Sequence, residues 1–181
     1  MPSTDWTQDH FRELFDHIEC YLEERYELPV IISDVRNPFT GDLTGAAIKV
    51  DYDVTPEEAV FIVIHLFGHT VQWCTEPTAR DTAYAQEVKQ DASRIGALQA
   101  YETEAVQYSL QLLHDLDITE LDQWVSDYAA CDFAFLLHFY VTGEKRDFKS
   151  FWKDHQPLLT PKPIPEFEPS EWKSRWEGVV V

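Results

Sequence analysis

Apolar residues recur at helical spacing in four segments of the chain, and this pattern predicts a helix-rich protein. The first segment carries one apolar stripe, which is typical of a surface helix. The second is apolar on nearly every side, which predicts a helix buried between other layers. The four segments are residues 4–22, 55–74, 98–113 and 118–143, and the stripe of the first consists of Phe11, Leu14, Phe15, Ile18 and Leu22.

Two short runs before the second helical segment have the composition of β-strands. Residues 28–35 are rich in β-branched side chains, residues 45–52 read as a second strand, and residues 37–42 between them form a cluster of turn-forming residues. A hairpin or small sheet therefore precedes the buried helix. The fold class predicted is α+β, a helix-rich domain with a small sheet.

The buried helix has a well-defined predicted start. Thr55 suits the N-cap position, Pro56 suits the first helical position, and Glu58 can close a capping box with the threonine. From there the helix is predicted to continue to about Cys74. This helix carries the pair of histidines that is the most specific chemical pattern in the chain.

His65 and His69 lie four residues apart within this helix. Residues at this spacing share one helix face, so two imidazoles can bind one metal ion. Taken alone, such a pair is more often two hydrogen-bonded core histidines than two metal ligands. A third donor would favour metal binding over a structural role for the two histidines. Glu102 is a candidate because it lies beside the apolar side of the helix predicted over residues 98–113.

The segment from His65 to His69 reads H-L-F-G-H and resembles the H-E-x-x-H motif of metallopeptidases. The segment that begins at Glu102 reads E-T-E-A and resembles the E-x-E-A-D and E-x-E-A-N motifs that follow H-E-x-x-H in gluzincins. This chain is therefore similar to the gluzincin metallopeptidases, including the ImmA/IrrE-type group. The resemblance covers roughly residues 28–113. It implies a zincin-like domain in which His65, His69 and Glu102 bind zinc. It also implies that the strand at residues 45–52 lies beside the metal and can pair with an extended substrate.

Two positions depart from the family pattern. Leu66 stands where the peptidases have the general-base glutamate, and Val106 stands where they have a polar residue that supports a ligand. Glu104 is two positions from Glu102 and should point away from it, so it is a poor substitute base. We therefore expect a zincin-like metal-binding protein with no catalytic residues, inactive as a conventional peptidase.

Two other classes of function remain open. Two histidines and one glutamate also form the facial triad of non-haem Fe(II) oxygenases, so a metal enzyme of other chemistry, or a hydrolase with another base, would use the same ligands. Alternatively, His65 and His69 are hydrogen-bonded core residues of a metal-free structural or protein-interaction domain.

The net charge of the chain limits the classes of molecule that it is expected to bind. The net charge of −19 disfavours nucleic acid and anionic membranes, which leaves a protein or peptide as the expected partner, with the oligomeric state open. The first residues lack the pattern of a signal peptide, and the three cysteines (Cys20, Cys74 and Cys131) are predicted to be buried free thiols. These features predict a cytoplasmic protein.

We expect one domain over residues 1–181. Its predicted parts are an N-terminal helix (1–27), a hairpin or sheet (28–54), the metal-site helices (55–116), a helical scaffold (117–155) and a proline-rich strap (156–181). Gly143 is the predicted C-cap of the scaffold helix, and residues 148–155 are predicted to form a short helix. Structural roles are expected for His114 near a helix end and for His138 in the core. Packing of the strap is expected from its aromatic residues, Phe167, Trp172 and Trp176.

Overall fold

The computed structural model of the protein describes residues 6–35, 39–76, 78–79, 92–144 and 146–171, with the side chains of residues 92 and 93 excluded. Within these ranges it confirms a helix-rich α+β fold. The elements in chain order are α1 (Gln8–Tyr26), β1 (Val30–Ser33), β2 (Gly41–Leu43), β3 (Ile48–Asp51), α2 (Pro56–Thr75), α3 (Ala92–Asp115), α4 (Asp122–Thr142) and a 3₁₀ helix (Phe148–Phe151).

The chain divides into two compact units. One, which we call the sheet unit, comprises residues 5–75 and 165–181, and the other, the helical unit, comprises residues 1–4 and 76–164. The single domain expected from the sequence stays a prediction.

The sheet of the sheet unit has the strand order β1–β3–β2. β1 pairs with β3 in parallel, with Val30 opposite Ile48, and β2 pairs with β3 in antiparallel, with Leu43 also opposite Ile48. Strand β3 is therefore central and hydrogen-bonded on both sides. The expectation that this segment is an open strand able to pair with a substrate is wrong, because β1 occupies one of its edges and β2, which begins at the end of the predicted turn cluster, occupies the other.

Helix α1 is capped at both ends and buries one apolar stripe. Thr7 is the N-cap and forms a capping box with His10, and Glu27 ends the helix in the left-handed conformation with φ 54°. The buried side chains are those of the predicted stripe: Phe11, Leu14, Phe15, Ile18 and Leu22. This stripe packs against α2.

Helix α2 is the core of the sheet unit. The Thr55 hydroxyl accepts the backbone N–H of Glu58 at 3.3 Å, and the Glu58 carboxylate accepts the backbone N–H of Thr55 at 2.9 Å, which confirms the predicted capping box. Every residue from Ala59 to Trp73 is buried. The helix packs against α1, β2 and β3, so its unbroken apolar sequence reflects contact on several sides.

Helices α3 and α4 pack together in the helical unit. The predicted helix over residues 118–143 begins later than expected, at Asp122, because residues 113–118 form a turn closed by the Ile118 N–H on the Leu113 carbonyl at 2.9 Å. Gly143 is the predicted C-cap, with φ 77° and its N–H on the Phe139 carbonyl. The 3₁₀ helix follows and contacts α4.

The strap has no regular secondary structure over its described part, residues 156–171, but its backbone is held by polar side chains. The Asp127 carboxylate accepts the N–H groups of His155 and Gln156 at 3.1 and 2.7 Å. The Ser126 hydroxyl accepts the Leu159 N–H at 3.1 Å, and the Gln107 carbonyl accepts the Lys162 N–H at 3.1 Å. These contacts fix the strap on α3 and α4.

The aromatic packing predicted for the strap is confirmed at one of three positions. In the sheet unit Phe167 stacks on Tyr26, with ring centroids 5.2 Å apart, and lies against Phe67. Trp172 and Trp176 lie outside the described residues.

The cysteine prediction is confirmed in part. Each of the three is a thiol and not half of a disulfide, but Cys20 is exposed, Cys74 is half-buried and only Cys131 is buried. Burial of Cys20 was a wrong expectation, because this residue lies two positions from both Ile18 and Leu22 and so faces away from the apolar stripe. Within the described residues, no helix is long and apolar enough to cross a membrane.

Candidate metal centre

His65 and His69 lie one turn apart on α2, with their Nε2 atoms 3.1 Å from each other. Both side chains are buried, with 1% and 3% of their surface exposed. Two nitrogens bound at roughly 2.0–2.1 Å to one tetrahedral ion lie about 3.3 Å apart. The imidazole pair therefore already has close to the spacing of two ligands of one ion.

Neighbouring residues of the same helix hold the orientation of both rings. The Nδ1 atom of His69 lies 2.9 Å from Oε1 of Gln72, three residues later. The ring of Phe61 stacks on His65 with an interplanar angle of 11°. Sequence analysis placed both neighbours in the apolar helix without giving either a role, although the i, i+3 and i, i+4 spacings are a recognisable signal.

Leu66 is fully buried and faces the sheet. A Cβ atom placed on Gly41 of β2 would fall 2.8 Å from Cδ1 of Leu66 and 2.7 Å from Cγ2 of Ile62. Position 66 is thus a packing position, in contact with the backbone of β2.

Glu102 lies on α3 in the helical unit and is 7% exposed, so the inward orientation expected from its helix is confirmed. Val106, one turn later, is buried as a core residue. Glu104 points elsewhere and its carboxylate binds the Lys162 ammonium, which raises the lysine pKa. It is therefore committed to an ion pair with the strap.

Tyr140 on α4 is a neighbour of Glu102 that sequence analysis missed. The phenol is buried, and its pKa is raised first by this burial and then by the negative charge of Glu102. At neutral pH it is a proton donor, not a phenolate. Its place at the end of the apolar run over residues 129–141 gave no signal beyond core packing.

Two buried imidazoles and a buried carboxylate, those of His65, His69 and Glu102, are a donor set that could hold a metal ion. The histidines belong to the sheet unit and the glutamate to the helical unit. Their convergence on one ion stays a prediction, as does the identity of the metal.

The other candidate residues have structural roles. His114 at the end of α3 lies 2.8 Å from the Asp122 carboxylate. His138 is half-buried, not fully in the core as expected, and its ring lies against Phe151. Neither histidine carries a feature of a catalytic group.

Comparison with known proteins adds no relative. No protein-family model, curated protein or solved structure matches this chain.

Proposed function

We propose that this protein binds one divalent transition-metal ion through His65, His69 and Glu102 and acts by binding, not by peptide hydrolysis. The observation that carries the proposal is the buried imidazole pair of α2, with its two Nε2 atoms 3.1 Å apart. Two imidazoles and a carboxylate that are all buried are donor groups of the kind that bind a transition-metal ion.

The donor types favour zinc. Two histidine nitrogens and one carboxylate oxygen are the ligands of many zinc sites, and the resemblance to gluzincins points to the same ion. The same set suits Fe(II) in a facial triad. Identity of the bound metal therefore separates a zinc-binding protein from an oxygen-activating enzyme.

We propose that the protein has no peptidase activity because it lacks three features that a peptidase needs: a general base, a strand free to pair with the substrate, and space for the substrate beside the metal. Leu66 cannot take a proton from metal-bound water, and its side chain packs against β2. The central strand β3 is already paired on both sides and cannot pair with a substrate backbone. The ligands are 1%, 3% and 7% exposed, which leaves little room for a polypeptide beside them.

The test is metal analysis of protein purified without a histidine tag, followed by titration of the metal-free protein with zinc chloride. We expect one zinc per chain, and loss of at least tenfold in affinity for His65→Ala, His69→Ala and Glu102→Gln. Glu104→Gln is the matched control, because it neutralises a carboxylate on the same helix two residues away and should leave zinc affinity unchanged.

Three results would contradict parts of the proposal. No bound metal and no zinc affinity would favour the metal-free structural domain. Stoichiometric iron, with zinc binding more weakly, would favour oxygen chemistry. Equal losses in Glu102→Gln and Glu104→Gln would show that Glu102 acts only through general electrostatics and is not a ligand.

A further inference from the structure

Gln72 lies on α2 less than one turn after His69 and is 1% exposed. Its Oε1 atom is 2.9 Å from Nδ1 of His69, within hydrogen-bond distance. An oxygen acceptor at this place requires the imidazole to carry its proton on Nδ1. In the neutral imidazole the opposite nitrogen, Nε2, then keeps its lone pair, and it lies 3.1 Å from Nε2 of His65.

We infer that Gln72 is a positioning residue, which fixes the His69 tautomer so that Nε2 is ready to bind a metal. This inference deepens the proposed metal-binding function and rests on it for its biological meaning. Histidine ligands generally donate their other ring N–H to an acceptor, which orients the ring and raises its basicity. Gln72 supplies that acceptor from the same helix that carries both histidines.

The same geometry assigns the proton of His65. With Nε2 of His69 unprotonated and 3.1 Å away, Nε2–H of His65 is the donor between the two rings. A metal bound to both Nε2 atoms must displace this proton. Metal binding should therefore change the tautomer of His65 from Nε2–H to Nδ1–H and leave that of His69 unchanged.

Long-range ¹H–¹⁵N correlation spectra of the full chain test this assignment directly. In metal-free protein we expect His69 to carry its proton on Nδ1 and His65 on Nε2, and after one equivalent of zinc we expect both to be protonated on Nδ1. Observation of Nε2–H on His69 in the metal-free protein would overturn the inference, because the Gln72 amide would then be turned round to donate.

Variants at position 72 separate positioning from packing. Gln72→Glu keeps an oxygen acceptor, so its zinc affinity should stay within about threefold of wild type, whereas Gln72→Leu keeps the bulk but removes the acceptor and should weaken zinc binding roughly 10–100-fold. Gln111→Leu, which removes an exposed bond to Asp115, is the control. A purely structural role predicts the reverse order, since a buried leucine is tolerated better than a buried glutamate.

The two hypotheses fail separately. If wild type binds neither zinc nor iron, the proposed function is wrong, but the metal-free spectrum still reports the His69 tautomer. If zinc binds and Gln72→Leu binds it as tightly as wild type, only the role of Gln72 is wrong. If Gln72→Leu does not fold, as judged by circular dichroism, the wild-type spectrum and Gln72→Glu still decide the question.

Discussion

Gly41 and Leu66 are in such close contact that a methyl group added to Gly41 would fall 2.8 Å from Cδ1 of Leu66. Leu66 is therefore part of the contact between α2 and β2. A carboxylate at position 66 would face strand backbone. One leucine side chain thus packs α2 against the small sheet and, in the proposed function, leaves position 66 without a base.

We expect the native chain to have negligible peptidase activity. Leucine stands at position 66, and Glu104, two residues after Glu102 on α3, is bound to Lys162. The measurement is release of fragments from casein with zinc present and after chelation. Cleavage at the rate of an ordinary protease, abolished by chelation, would show that another base exists.

Leu66→Glu should destabilise the protein without creating a peptidase. The substitution removes a fully buried leucine and places a charge against β2, which should lower the free energy of unfolding by more than about 3 kcal/mol. Leu66→Met conserves volume and should cost less than about 1.5 kcal/mol. Denaturant unfolding compares the two, and equal stability of wild type and Leu66→Glu would mean that Leu66 is not packed as described.

Gly41→Ala should be destabilising by roughly 1–3 kcal/mol, because its Cβ meets Ile62 and Leu66 at less than 3 Å. The control is Gly96→Ala on α3, where a Cβ has no neighbour within 4 Å and alanine should stabilise the helix by about 0.5–1 kcal/mol. Thermal unfolding should shift in opposite directions for the two variants. Shifts of the same sign would contradict the contact at Gly41.

Asp127→Ala should lower the free energy of unfolding by roughly 3 kcal/mol. The carboxylate is 1% exposed and accepts the N–H groups of His155 and Gln156 and the side-chain amide of Gln123, so its loss strands three donors. Asp115→Ala breaks one exposed bond and should change stability by less than about 0.5 kcal/mol. Denaturant unfolding of both variants is the measurement.

Cys131 should contribute to stability in a pH-dependent way. Burial, and then the charge of Asp132, raise the pKa of its thiol from 9.0 to about 12. The contribution of this thiol to the free energy of unfolding is complete below pH 9, where it is protonated in both the folded and the unfolded protein. The contribution is lost as the pH rises towards 12, because the thiol ionises first in the unfolded protein.

Replacing Cys131 with serine should therefore flatten the fall in stability between pH 8.5 and about 10.5, whereas Cys20→Ser should not. Maleimide labelling at pH 8 gives an independent measurement. Exposed Cys20 should react at least about a hundredfold faster than Cys131 in the folded protein. Similar labelling rates would show that the Cys131 thiol is accessible.

Features governed by local pattern could be predicted from the sequence. The stripe of α1, the capping box between Thr55 and Glu58 and the C-cap at Gly143 each depend on residues within one or two turns. The inward orientation of Glu102 followed from the period of its own helix. The positions of His65 and His69 on one face of α2 followed from their spacing alone.

Features that depend on distant partners could not be predicted. Parallel pairing of β1 with β3 and the insertion of β2 at the other edge of β3 are set by contacts across the sheet, which the strand sequences do not specify. The contact of Leu66 with Gly41 joins residues 25 positions apart. The sequence shows a leucine at position 66, but the packing role of Leu66 could be seen only in the fold.

The strap gives a last consequence, for the order of folding. Its anchoring bonds to Ser126 and Asp127 join residues 28, 29 and 33 positions apart, whereas α3 and α4 are built from local bonds. Such distant contacts form late, so the strap should be undocked when the rate-limiting barrier is crossed. Asp127→Ala, which loosens the strap, should therefore refold at nearly the rate of wild type but unfold faster. The anchored strap would then serve mainly to lengthen the lifetime of the folded chain.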